Sequence, residues 1–130
     1  AVALLDIDNF KKLNDTSGHA AGDQALVHLV RVVKDLLRPT DSVARYGGEE
    51  FVLLLPATGI QEATVVLQRL QRELTKRFFL HNNEKVLITF SAGVTLVEAH
   101  ESRNDALARA DQAMYQAKRL GKNRVEALLA

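Results

Sequence analysis

The chain contains no cysteine. That excludes disulfides, thiolate zinc sites and a cysteine nucleophile, and it fits a reducing compartment. No apolar run approaches the ~20 residues needed to span a bilayer, and no signal-peptide pattern is visible. Neither sign of charge is in excess: 17 Lys and Arg against 16 Asp and Glu leave a formal net charge of +1. No global field therefore points to nucleic acid or to a membrane surface. Repeats, low-complexity tracts and internal linkers are missing as well. What is present is 130 residues, 47% hydrophobic and 25% charged, an ordinary globular composition long enough for one domain with a core. The opening "AVALLDID" reads as a core strand with no lead-in. A single domain is expected over residues 1–130, with its true beginning further upstream.

Hydrophobic spacing divides the chain into alternating elements. "AVALLDID" is a short apolar run ending in carboxylates, suited to a strand buried on both faces. "NFKKLNDTSGHAAGD" is expected as a strand-to-helix loop, followed by a long helix in which Leu26, Leu29, Val30, Val33, Leu36 and Leu37 recur at helical spacing. Pro39 ends that helix. "SVARY" and "EFVLLL" flank Gly47-Gly48 as a hairpin, because paired glycines supply the positive φ of tight turns. A second helix is expected over Gln61 to Phe79, a strand over "KVLITFSAGVTLV", a third helix over Asn104 to Leu120 and a last strand in "NRVEALL". The order is strand, helix, strand, strand, helix, strand, helix, strand. It predicts an α+β fold of ferredoxin-like or palm type, with a mixed central sheet of about five strands surrounded by helices, as in nucleotide cyclase and polymerase palms.

Three acidic positions stand out. Asp6 ends the first strand, and Glu49 and Glu50 sit at the hairpin tip. If these elements are neighbours, Asp6 and Glu49 converge at one sheet edge, where magnesium takes one or two carboxylates together with substrate phosphates. Solvation alone also explains acidic strand ends and turns. The segment between them adds Lys11, Lys12, Asn14, His19 and Asp23, and backbone N–H groups beside a lysine suit phosphate. Asn14 and Asp23 offer an amide and a carboxylate, and a carboxylate matches the paired donors of a guanine edge. Each also has a plainer reading: Asn14 in a turn, Asp23 as a helix-start carboxylate.

Together the motifs "DIDNFKKLNDTSGHAAGD", "RYGGEEF" and "ADQAMYQAKRLGKNRV" closely resemble the GGDEF family, the diguanylate cyclases. They occur in the family's order and cover most of the chain. The resemblance implies that Asp6, the backbone carbonyl of Ile7 and Glu49 hold magnesium or manganese. Glu49 would also be the catalytic acid/base, within the motif Gly47, Gly48, Glu49, Glu50 and Phe51. Asn14 and Asp23 would read guanine with His19 close by. Phe10, Lys11, Lys118 and Lys122 would meet phosphates, Lys11 also stabilising charge during transfer. The family often has arginine where this chain has Lys122, and lysine lacks the planar fork. The implied reaction joins two GTP into cyclic di-GMP with release of two pyrophosphates. It needs two such domains facing each other as a homodimer. The resemblance also implies a regulatory or sensor domain upstream, and a cytoplasmic location with no nucleic-acid partner and no membrane contact by this domain, although a missing region could anchor the full-length protein.

Arg38 and Asp41 form an R-x-x-D pattern just before the hairpin, where the family's inhibitory product site lies, and Arg69 stands where a second arginine is expected. The plainer reading makes Arg38 a helix C-terminal cation and Asp41 a turn residue. The alternative to an active cyclase is a catalytically weak module that senses GTP or cyclic di-GMP. The unbroken set Asp6, Lys11, Asn14, Asp23, Gly47, Gly48, Glu49, Glu50 and Phe51 favours the enzyme.

Overall fold

A computed structural model describes all 130 residues. The chain runs β1 (Val2–Ile7), α1 (Phe10–Ser17), α2 (His19–Leu36), β2 (Ser42–Gly47), β3 (Glu50–Leu54), α3 (Ile60–Lys76), β4 (Phe79–His81), β5 (Glu84–Val86), β6 (Phe90–Thr95), α4 (Arg103–Arg119) and β7 (Val125–Ala127). Five strands form the central sheet in the order β2-β3-β1-β6-β7, and β4-β5 stand apart as a small hairpin. Only β6 and β7 are parallel; the other ladders are antiparallel. The expected α+β architecture with a five-stranded mixed sheet is the one observed.

The two-residue period of a strand sends the odd residues of β1 to one face and the even ones to the other. Ala3, Leu5 and Ile7 join Leu53, Phe90 and Val94 in the main core, against Leu26, Leu29 and Val33 of α2 and Leu67, Leu70 and Leu74 of α3. Cutting one of these fully buried leucines to alanine costs about 2–5 kcal/mol. On the other face Leu4 meets Ala110 and Met114 of α4. The buried stripe Ala106, Ala110, Ala113 and Ala117 keeps α4 thin enough to lie close on the sheet. At the N-cap of α4, the Ser102 hydroxyl accepts from the Asp105 backbone N–H at 3.1 Å.

Three expectations need correction. The segment between β1 and the long helix is not a loop: it is α1 and the start of α2, broken at Gly18, whose φ is +89°. The long strand expected over Lys85 to Val97 is two strands, with Leu87–Thr89 between them belonging to neither. Asn82 and Asn83, at φ 52° and 66°, turn β4 back on β5. The second helix stops at Lys76 rather than Phe79, because Phe79 pairs with Val86 in that hairpin.

Candidate active site

β1 lies at the centre of the sheet, and its carboxyl end meets the tip of the β2-β3 hairpin. Asp6 stands opposite Glu50 on one side and Ser91 on the other. Being an even residue of β1, Asp6 faces α4, where the Lys118 ammonium donates to its Oδ2. Asp6 is 5% exposed, and its second oxygen, Oδ1, is buried with no hydrogen-bond partner. Glu49 is half-buried in the turn, and its carbonyl accepts from the N–H of Ile7 at 3.3 Å. At the hairpin tip, Gly48 alone takes the positive φ, +50°, whereas Gly47 belongs to β2.

The electrostatics follow from crowding three carboxylates around one lysine. Burial pushes the Asp6 carboxyl above its ordinary value; the Lys118 contact pulls it down, and Glu49 and Asp8 push it up again. Burial also raises Glu50, helped by repulsion from Asp6 and from Asp111 of α4. For Lys118, burial works to lower the pKa, but Asp6, Glu50 and Glu49 outweigh it and the net shift is upward. A single ammonium leaves this edge with excess negative charge and one carboxylate oxygen unsatisfied. A divalent cation fits that donor set. Side chains alone do not complete such a site, since no three acidic or histidine side chains are placed to hold a metal ion; a magnesium ion here would take most of its oxygens from phosphates and water.

α1 forms the adjoining wall. Asn9, at its N-cap, gives no side-chain cap because its Oδ1 is taken by Lys122 Nζ at 2.7 Å. The first helical bond is Leu13 N–H to Asn9 carbonyl, so the N–H groups of Phe10, Lys11 and Lys12 have no partner inside the helix. This is a donor array of the kind that receives anions. Lys11 is exposed and Phe10 packs partly on the core. Asn14 is half-buried on α1 with its Oδ1 sealed and unpartnered. His19 opens α2, and His19 and Asp23 are both exposed on it.

Sequence reading missed the parts of this site that depend on pairing. Asp8 is an anchor: it accepts from Thr89 at 2.7 Å, Ser91 at 2.6 Å and the Asn123 N–H at 2.9 Å. It thereby holds the turn that carries Lys122. The repeated acid in "DID" was its only signal. Glu50, already marked by the hairpin motif, shares the face of Asp6 and Lys118, and Asp111, which has no local signature, extends that face.

The R-x-x-D pair closes on itself. Arg38 Nη2 lies 2.8 Å from Asp41 Oδ1 and also donates to Thr58 Oγ1 at 2.8 Å and the Pro56 carbonyl at 3.0 Å. The Asp41 side chain is 3% exposed, and hydrogen bonds from Arg38 hold its carboxyl below the ordinary value. Arg69 is exposed on α3 and bonds to neither residue.

Residues 1–124 match the family described as diguanylate cyclase, GGDEF domain. The chain is 45% identical over 125 residues to the diguanylate cyclase DgcP of Pseudomonas aeruginosa and 38% identical over 126 residues to diguanylate cyclase A of Treponema denticola. Each alignment covers 96% of this chain but only 19% and 34% of those relatives. The chain therefore spans about a fifth to a third of their length. Among solved structures, the GGDEF domain of DgcB from Caulobacter crescentus, in complex with c-di-GMP, superposes with a TM-score of 0.91 at 38% identity, over 97% of this chain and 75% of that one. The diguanylate cyclase SiaD of Pseudomonas aeruginosa, in complex with its activator SiaC, gives 0.92 at 40% identity, over 99% of this chain and 49% of that one.

Proposed function

The chain belongs to the diguanylate cyclase GGDEF-domain family, and on that premise we propose that it condenses two GTP into cyclic di-GMP. The observation that carries this reading is the buried Asp6 carboxylate, with one oxygen unpartnered and Glu49, Glu50 and Lys118 around it, at the sheet edge beside the free N–H groups of α1.

Asp6, the Ile7 carbonyl and Glu49 would hold magnesium or manganese. Such an ion, when bound, neutralises phosphate charge and lowers the pKa of a coordinated hydroxyl. The protein's own groups supply position. The N–H groups of Phe10 and Lys11, with the Lys11 ammonium, receive phosphate, and Lys118, beside Asp6, and Lys122, beside the N-cap Asn9, supply cations for the terminal phosphates. Asn14 and Asp23 read the guanine, with His19 at the rim. Glu49 accepts the proton of the 3′-hydroxyl as that oxygen bonds to the α-phosphorus of the second GTP and pyrophosphate leaves. Most of the acceleration then comes from electrostatics arranged in advance.

One site holds one GTP, so two copies must meet with nucleotides inward, a two-fold homodimer. Product inhibition through Arg38, Asp41 and Arg69 belongs to the same proposal. No helix is long and apolar enough to cross a membrane.

Incubating the protein with GTP and magnesium and resolving the nucleotides by chromatography tests the reading. Cyclic di-GMP should accumulate, and Glu49→Ala should abolish it while leaving the fold intact. GTP binding without any product at high protein concentration would reduce the domain to a sensor.

A further inference from the structure

We propose that Gly22 is a positioning residue for nucleotide selection: its missing side chain is the notch that seats the Asn14 carboxamide. The inference rests on the guanine-reading role given to Asn14 above. A Cβ built on Gly22 would lie 1.9 Å from Asn14 Oδ1, 2.9 Å from its Cγ and 3.2 Å from Phe10 Cζ. The first two distances are closer than any real contact, so a side chain there and the present Asn14 rotamer exclude one another.

Nothing in the backbone requires glycine at this place. Gly22 is the fourth residue of α2 and does not adopt a positive φ, and glycine inside a helix works against helix formation. What it provides is space. α1 has no fully buried residue and docks on α2 through Phe10, Leu13 and Asn14, two of which reach toward this one α-carbon. The Asn14 oxygen is buried in the notch without a hydrogen-bond donor. The amide N–H₂ end of this half-buried side chain is therefore the one left for a ligand. Asp23 follows Gly22 directly, so a single turn of α2 sets both the donor and the carboxylate acceptor. A base presenting an acceptor beside paired donors, as guanine does, meets both; adenine does not.

The atoms that Gly22→Ala would displace are the far end of a flexible side chain, so Asn14 can rotate away and the fold survives. The test compares wild type, Gly22→Ala, Asn14→Ala and the double variant by calorimetric titration with GTP and with ATP in magnesium, alongside thermal melts. Gly22→Ala should lose about tenfold in GTP affinity, the worth of one well-placed hydrogen bond. ATP affinity should be unchanged and melting close to wild type. In the Asn14→Ala background Gly22→Ala should change nothing further, because the clash has gone. A Gly22→Ala chain that unfolds while the double variant folds and binds like Asn14→Ala also supports the coupling. A wild-type GTP-to-ATP ratio in Gly22→Ala overturns it, as does a double variant well below Asn14→Ala. Equal GTP and ATP binding by the wild type would instead overturn the guanine reading, and this inference with it.

Discussion

Lys118 and Asp6 are 112 residues apart in the chain, and the ammonium of one rests on the carboxylate of the other. The contact ties α4 to the last turn of the central strand. It also sets the charge of the edge: three clustered carboxylates are left with one cation. Burial works against the charged form of Asp6 and the Lys118 contact works for it; that lysine is itself 36% exposed.

Asp6→Asn should therefore separate stability from turnover. Burial raises the Asp6 carboxyl, so the folded state disfavours its charged form, and removing the charge relieves that penalty at neutral pH. Lys118 is exposed enough to reach water once its partner is gone. The melting temperature should hold or rise, while cyclic di-GMP formation falls by at least about a hundredfold. A variant that melts early and keeps its activity would contradict both halves of the argument.

Gly93 of β6 should be intolerant of any side chain. A Cβ there would fall 2.0 Å from the Ala110 carbonyl oxygen and 2.3 Å from the Met114 nitrogen. Both are backbone atoms of α4, so the helix has to move as a body. Gly93→Ala is expected to cost about 3 kcal/mol in denaturant unfolding and to reduce turnover as well, since Lys118 moves with α4.

The strands, the hairpin and the inner stripes of α2, α3 and α4 were legible because burial stamps its period on the sequence. α1 was not. "FKKLNDTS" offers only Phe10 and Leu13 to a core and is otherwise rich in residues that favour turns; docking on α2 overrides that local preference. The β4-β5 hairpin was hidden for the same reason, being short and only partly buried. Candidate site residues could be named where a motif carried them, as with Asp6, Glu49, Asn14 and Asp23. The places of Asp8, Asp111 and Gly22 come from contacts across the fold, and no local pattern encodes those.

The Glu101–Arg109 pair should show in acid. Arg109 donates to Glu101 at 2.5 and 2.8 Å, to Thr95 Oγ1 at 2.6 Å and to the Leu96 carbonyl at 2.7 Å, fastening α4 to the segment after β6. The bonds from Arg109 hold the Glu101 carboxyl down to about 2, against an ordinary 4.5. A depressed acid stabilises the fold above its unfolded pKa and loses that contribution as pH falls through the folded one. Wild type should therefore melt above Glu101→Gln at neutral pH, with the gap closing between about pH 4.5 and pH 2. A gap that is constant with pH would mean that packing, not charge, is what the substitution removes.

Arg38→Ala addresses the proposed product brake. Arg38 neutralises an aspartate whose side chain is 3% exposed and joins the end of α2 to Pro56 and Thr58. Removing it leaves that carboxylate without its cation, so the melting temperature should fall. If cyclic di-GMP inhibits by engaging Arg38 and Asp41, the closed pair has to open for it, and the ligand competes with an internal salt bridge. The variant should then turn over GTP at a basal rate near wild type below its melting temperature while inhibition by added cyclic di-GMP is lost. Arg38→Lys keeps the charge but not the bidentate fork, and should weaken inhibition less than alanine does. Rates measured against added cyclic di-GMP decide it: inhibition unchanged in Arg38→Ala would leave this pair as a structural clamp between the α2–β2 loop and the segment after β3.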